Sequence, residues 1–272
     1  MDKKIGFIGC GNMGGALIQG IISSNQINFQ NVFIFDKDSN KVNSLVDKFN
    51  VSIKKNITEL TQASDFVVLA VKPNIVPNIL KELSLDTIKD IILISIAAGI
   101  TIKTIKKTIG KDCRVVRVMP NTPALVGEGM TAISFDNTIN NDEKVYINQI
   151  FETVGKVIEI EEKHMNAITA LSGSSPAYVF IFIEAMADAA VKMGIPRELA
   201  YNTAAQAVLG SAKMVLETGK HPGELKDMVC SPAGTTIEAV YQLEKRGFRG
   251  TIIKAMQECY EKAEELSEEM GE

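Results

Sequence analysis

The chain has 272 residues, 46% of them hydrophobic and 23% charged, with a net charge of −4. That is length enough for two domains and an ordinary soluble composition, and the small negative charge gives no electrostatic support for nucleic-acid binding. The four cysteines (Cys10, Cys113, Cys230, Cys259) lack metal-type spacing and there are only two histidines, so a metal-free, cytoplasmic protein is expected.

The N-terminus passes directly into the apolar run Ile5–Ile8, with no signal peptide or other targeting segment expected. In Gly9-Cys10-Gly11-Asn12-Met13-Gly14, which follows, each glycine has its own task. Gly9 makes the tight turn, Gly11 lets the backbone approach a pyrophosphate, and Gly14 lets helix and strand pack closely. A lone G-x-G-x-x-G is weak evidence. Here it closes a strand, opens an amphipathic helix at 12–23, and is followed by a second strand, Val32–Phe35, ending at Asp36. That context predicts a dinucleotide with its pyrophosphate at the helix start, beside Asn12 and Met13. Asp36 lies 22 residues after Gly14, where it would accept hydrogen bonds from ribose hydroxyls. Lys37 and Lys41 beside it would meet a 2′-phosphate or form a solvated face. NADH with NADPH tolerated is the expectation.

Further apolar runs at 66–71, 91–96 and 115–119 alternate with amphipathic pieces at 40–49 and 73–83. Continuous apolar runs read as strands buried on both faces. The alternation predicts an α/β fold, a Rossmann-type doubly wound parallel sheet over residues 1–162. Ala70-Val71-Lys72-Pro73 and Ala97-Ala98-Gly99 follow strands on the edge where ligands bind. Lys72 is then either a catalytic acid or a positioning group for the nicotinamide side. Asn56 is counted with the cofactor residues. Met119-Pro120-Asn121-Thr122-Pro123 is a stiff loop that offers side-chain donors, Asn121 among them, or is purely structural.

From about residue 162 only helices are predicted, at 165–193, 197–217, 235–245 and 251–269, giving an all-helical domain over 163–272. The stretch 177–193 is apolar almost all round but contains Glu184 and Asp188, which argues for a covered helix over a membrane span. A second subunit would cover it, unless it is the centre of a monomeric bundle. The acidic tail of the last helix is expected to fray. Leu171-Ser172-Gly173-Ser174-Ser175-Pro176-Ala177-Tyr178 reads as a small-residue loop opening a helix, where N–H groups and hydroxyls suit a small carboxylate. Ser231-Pro232-Ala233-Gly234-Thr235-Thr236 reads the same way. Helix capping is the alternative for either loop alone; two of them beside a dinucleotide domain point to a shared anion pocket.

These motifs, with His221-Pro222-Gly223-Glu224-Leu225-Lys226-Asp227 between them, occur in the order found in pyrroline-5-carboxylate reductases, and the resemblance spans essentially the whole chain. It implies a helical dimerisation domain and reduction of 1-pyrroline-5-carboxylate to L-proline with NADH or NADPH, the last step of proline biosynthesis. It also implies a homodimer, in some members a higher ring of dimers. Carried over by position, Ser231 and Thr236, with the Gly234 and Thr235 backbone, contact substrate beside Ser172, Gly173 and Ser174. Ser175 departs from a glycine common in the family, and Phe35-Asp36-Lys37 departs from the small or basic residues of NADPH-preferring members. A cyclic imine can enter already protonated, so orientation matters more than a strong acid. Thr236 is the catalytic candidate, as acceptor from the iminium or as proton donor to the ring nitrogen. A β-hydroxyacid dehydrogenase would need a lysine on the helix after the substrate loop, and residues 172–191 contain none. A non-catalytic nucleotide sensor would have no need of the second pocket.

Overall fold

The computed structural model describes residues 3–24, 27–83 and 85–271. β1 (Ile5–Ile8), α1 (Asn12–Ser24), β2 (Val32–Phe35), α2 (Ser39–Phe49), β3 (Ser52–Ile53), α3 (Ile57–Gln62), β4 (Phe66–Leu69), α4 (Val76–Glu82), α5 (Leu85–Ile88), β5 (Ile92–Ser95), α6 (Ile102–Ile109) and β6 (Arg114–Met119) follow in chain order. β7 (Gly129–Phe135), α7 (Asn141–Glu152) and β8 (Gly155–Glu159) complete one eight-stranded sheet of order β3-β2-β1-β4-β5-β6-β7-β8. All neighbours are parallel except β6 and β7, where Val116 pairs with Phe135. The link from Met119 to Gly129 is too short for a crossover, so the chain has to reverse. The sheet is therefore mostly parallel and doubly wound.

Alternate residues of each strand serve opposite faces, as the two-residue period requires. Phe7, Phe66, Val68, Ile92 and Ile94 join Leu17, Ile21, Ile147 and Phe151 of α1 and α7 on one face. Ile8, Val67, Leu69 and Leu93 join Leu60, Ile79, Leu80 and Ile105 on the other.

Three strands escaped the sequence reading: β3 is only two residues long, and β7 and β8 escaped for other physical reasons. Thr131 and Ser134 dilute the run that forms β7. β8 is an exposed edge whose Lys156 and Glu159 look like loop residues and discourage further pairing. The run 115–119 also needs correcting: Arg117 lies inside it, and is only 3% exposed.

The remaining helices are α8 (Met165–Ile168), α9 (Ser175–Lys192), α10 (Arg197–Thr218), α11 (Pro222–Val229), α12 (Thr235–Lys245) and α13 (Phe248–Glu269). The chain forms two compact units, residues 175–258 and residues 1–174 together with 259–272. Within the helical unit α9 packs on α10. Gly194, with φ 94°, turns the chain between them. The acidic tail does not fray over its described residues. Ser267 Oγ donates to Asn166 Oδ1 at 3.3 Å, Lys107 Nζ donates to the Gly271 carbonyl at 2.9 Å, and Met270 packs on the core.

Candidate active site

The glycine loop passes from β1 into α1. Gly9 has φ 104°, and a Cβ there would lie 2.5 Å from the Ala70 carbonyl oxygen. A Cβ on Gly14 would lie 2.3 Å from the Gly9 carbonyl oxygen. Both glycines are demanded by the fold itself. Around Gly11 a Cβ would meet nothing within 4 Å, so its bare backbone faces open space.

That space is a cleft of about 310 Å³ at the C-terminal ends of β1, β2 and β4. The strand order reverses there, between β1 and β4, where open α/β sheets bind their ligands. Gly9, Gly11, Asp36, Lys37, Ala70, Val71 and Lys72 all line it, so the structure brings these seven predicted residues together. Ile75 and Ile79 add an apolar wall that suits a purine ring. Gly11 also borders a second hollow of about 260 Å³ with Asn12, Gly15 and Leu125. The residues present fit a dinucleotide: an apolar wall, a carboxylate at the β2 tip, and a helix start beside an uncovered glycine. A broader hollow of about 570 Å³ carries Asp136, Glu159, Glu161 and Glu162, and its charge opposes a pyrophosphate.

The Asp36 carboxylate is fixed by two backbone donors. Cys10 N–H reaches Oδ2 at 2.7 Å and Asp38 N–H reaches Oδ1 at 2.9 Å. Lys41 Nζ stands 3.3 Å from Asp38 Oδ2. Burial, and then the Asp36 charge, push the Cys10 thiol up to about 12, so it is no nucleophile.

Other predicted cofactor residues lie off the cleft wall. Met13 packs against the core and Pro73 begins a short turn. Asn56 Oδ1 caps α3 by accepting from Glu59 N–H at 2.8 Å. Ala97 is buried, and a Cβ on Gly99 would meet Leu266 of α13 at 3.4 Å. The Asn121 amide is already engaged at both ends. Nδ2 donates to the Ser172 carbonyl at 3.0 Å, and Oδ1 accepts from Met130 N–H at 2.8 Å. Of the two readings of this loop, a source of side-chain donors or a purely structural one, the bonds of Asn121 within the protein fit the structural one.

The segment around Ser172 is not a loop. Thr169–Gly173 is a π-helical turn, with Ser174 N–H donating to the Thr169 carbonyl at 2.8 Å, inside a helical run over Glu162–Lys192. Ser172 Oγ donates back to the Ile168 carbonyl at 3.2 Å. Hydroxyl-rich residues and glycine looked like punctuation, but the backbone continues through them with one extra residue in the turn. Such bulges are frequent at functional sites. A Cβ on Gly173 would lie 2.6 Å from Met119 Cε, so the bulge packs close to the Met119-Pro120 loop. Ser174 Oγ receives a contact from Cys259 Sγ at 3.3 Å.

The second small-residue segment is a true helix start. Gly234 is the N-cap of α12 and has no side chain to cap it; Thr235 and Thr236 are the first helical residues. Capping by Ser or Thr is thus not their task at this end. Gly234 N–H donates to the Ser231 carbonyl at 3.0 Å, and a Cβ on Gly234 would strike Ser231 Oγ at 2.3 Å. Ala233 takes φ 55°, a left-handed conformation that costs a non-glycine residue about 1 kcal/mol or more.

Sequence reasoning missed a buried polar network under the π-turn. Arg117 on β6 pairs with Glu162 Oε1 at 3.3 Å and donates to Asn166 Oδ1 at 3.1 Å. Glu162 Oε1 also accepts from Ile102 N–H at 2.8 Å. Burial pulls the guanidinium below its ordinary value while Glu162 opposes that shift. An arginine within an apolar strand was the available signal.

Comparison with known proteins extends these observations to the whole chain. The family described as pyrroline-5-carboxylate reductase dimerisation matches residues 162–266, and NADP oxidoreductase coenzyme F420-dependent matches residues 4–99. The pyrroline-5-carboxylate reductase of Escherichia coli is 49% identical over 98% of this chain and 99% of its own. That of Arabidopsis thaliana is 40% identical over 97% and 96%. The crystal structure of Plasmodium falciparum pyrroline carboxylate reductase with NADP bound is 36% identical, covers 98% of both chains and has a TM-score of 0.90. With a mostly parallel doubly wound sheet, a glycine-lined cleft and kinship of this extent, the chain belongs to the pyrroline-5-carboxylate reductase family.

Proposed function

We propose that this chain reduces 1-pyrroline-5-carboxylate to L-proline with NADH or NADPH, as the last step of proline biosynthesis in the cytoplasm. The observation that carries the reading is the cleft at the β1–β4 switch, where Gly11 is open on its ligand side, in a chain whose relatives of that name match it end to end. Bound NAD(P)H supplies a hydride to the imine carbon. In this reading the N–H groups at the start of α1, beside Asn12 and Met13, take the pyrophosphate, and Asp36 accepts from the adenosine ribose. Lys72 orients the ribose of the nicotinamide half. We assign dinucleotide binding to residues 1–162, and substrate binding and dimerisation to residues 163–272.

On the substrate side, the uncapped start of α12 offers N–H groups and the Ser231, Thr235 and Thr236 hydroxyls to a small carboxylate. Ser172, Gly173 and Ser174 complete the substrate set. The imine enters protonated, so hydride addition at carbon yields the secondary amine directly, and the protein orients the ring. Thr236 contacts the ring nitrogen, as acceptor from the iminium N–H or as donor to the nitrogen.

Assembly belongs to the same proposal. Phe180 and Ile181 of α9 are 62% and 66% exposed in the single chain, too much apolar surface for a helix left bare. The run Glu162–Lys192 is long and apolar enough to cross a membrane by length and composition, yet it carries Glu184 and Asp188. A homodimer covers that face, and higher rings of such dimers are compatible with it.

The test is NADH and NADPH oxidation by the purified chain with 1-pyrroline-5-carboxylate, alongside NAD reduction with 3-hydroxyisobutyrate. Turnover of the imine alone is expected. Turnover of the hydroxyacid alone would transfer the chain to the dehydrogenase reading, and turnover of neither would leave a nucleotide-binding role. Thr236→Ala should lower turnover with little change in cofactor affinity; unchanged turnover at saturating imine removes Thr236 from the mechanism.

A further inference from the structure

The Ser172–Ser174 bulge raises a question of backbone accounting. In a continuous α-helix the Ser172 carbonyl would accept from the N–H four residues on. That residue is Pro176, which has no N–H. Asn121 Nδ2 supplies a donor to this carbonyl, at 3.0 Å. The same amide's Oδ1 is held by Met130 N–H of β7, at 2.8 Å, so the side chain is gripped at its other end and cannot swing away freely. Asn121 is also buried, and it stands outside the lining of the cofactor cleft.

We infer that Asn121 is a positioning residue for the substrate segment Ser172–Ser174, standing in for the backbone donor that Pro176 removes, and not a ligand of the cofactor. Two features support it independently of the amide. Gly173 packs against the end of the Met119 side chain, a Cβ there lying 2.6 Å from Met119 Cε, so the bulge lies beside the residue that leads into Asn121. The bulge itself is closed by the Ser174 N–H to Thr169 carbonyl bond, so the regular four-residue ladder is already broken at this turn. The inference rests on the reading of Ser172–Ser174 as substrate contacts.

The test uses the full-length chain and the near-isosteric Asn121→Asp, which keeps an acceptor for Met130 N–H and sets a carboxylate oxygen in place of the donor to the Ser172 carbonyl. KM for 1-pyrroline-5-carboxylate should rise roughly tenfold, the factor commanded by one hydrogen bond of ordinary strength. NADH affinity, read from the fluorescence of bound NADH, should stay unchanged. Pro176→Ala restores an N–H one turn after Ser172, so in that background, measured against Pro176→Ala alone, the same substitution should have a clearly smaller effect. Weakened NADH binding with an unchanged KM for the imine overturns the inference. So does an equal effect of Asn121→Asp in both backgrounds. Should the single variant fail to fold, the double variant decides: recovery of fold and imine turnover supports the inference, and failure of both overturns it. A wild-type chain inactive on the imine would instead sink the functional reading, a different result from an active wild type with an indifferent Asn121→Asp.

Discussion

Arg117 of β6 and Glu162, at the entry to the helical run, form an ion pair at 3.3 Å in which the guanidinium is almost wholly buried. Removing one partner of such a pair leaves an uncompensated charge. Glu162→Ala should therefore cost about 3 kcal/mol of unfolding free energy, at the low end for buried pairs because Glu162 is partly exposed. Urea unfolding at neutral pH measures it, and a loss under about 1 kcal/mol would place the pair among ordinary surface bridges.

The glycine loop separates fold from binding. Gly14→Ala puts a Cβ 2.3 Å from a carbonyl oxygen and should lower the melting temperature markedly. Gly11→Ala meets nothing within 4 Å and should melt like the wild type, yet bind NADH poorly because the methyl stands where the pyrophosphate approaches. Equal losses of stability in the two variants would contradict this division.

Asp36 should make NADH competitive with NADPH, because its carboxylate repels a 2′-phosphate. Asp36→Ser should shift the kcat/KM ratio towards NADPH. It should also lower stability modestly, since Cys10 N–H and Asp38 N–H lose the carboxylate that accepts from them. A wild-type enzyme tenfold or more better with NADPH would refute the assignment.

Alkali should destabilise the protein. Burial raises the Cys10 thiol from 9.0 to about 12, with the Asp36 charge adding to it, and raises the Tyr146 hydroxyl from 10.0 to about 12. Groups held protonated in this way favour the folded state fully below their ordinary values. The contribution declines as pH climbs from about 9 towards 12. Chemical denaturation between pH 8 and pH 11 should show that decline, and Cys10→Ala should flatten it; an identical slope in the variant would show that the thiol has no part in it.

The exposed face of α9 predicts obligate association. Ile181→Asp should yield inactive or aggregated protein, and light scattering of the unmodified chain at micromolar concentration should report a dimer or larger. An active monomer ends the idea.

The doubly wound sheet was legible because β1, β2 and β4 are continuous apolar runs, β5 departs from one only at Ser95, and the glycine loop marks where the first one ends. β7 and β8 were not, since Thr131, Ser134, Lys156 and Glu159 interrupt the pattern that burial would have imposed. At the site, Gly9 could be placed because a Cβ there would strike a carbonyl oxygen, and Gly11 and Asp36 line the same cleft. The bonds of Asn121 to Ser172 and Met130 could not be read, because an amide's preference for a backbone carbonyl far along the chain leaves no local trace. The helix over 165–193 was legible although Ser-Gly-Ser also reads as a loop; the extra residue of the π-turn was not, since nothing in those residues marks it.

Residues 259–272 belong to the same compact unit as residues 1–174, with the whole of 175–258 lying between them in sequence. During synthesis, the ribosome must release the whole of 175–258 before the surface around Gly99, Asn166 and Lys107 receives α13 and the residues just after it. The sheet can form early from its own local βα units, but this last closure joins residues more than a hundred positions apart and carries the loop-closure entropy of the whole intervening segment. The unit that carries the glycine loop is thus incomplete until α13 has been made. A chain stalled after α12 would expose part of its core to chaperones, which couples quality control of the first unit to successful synthesis of α13.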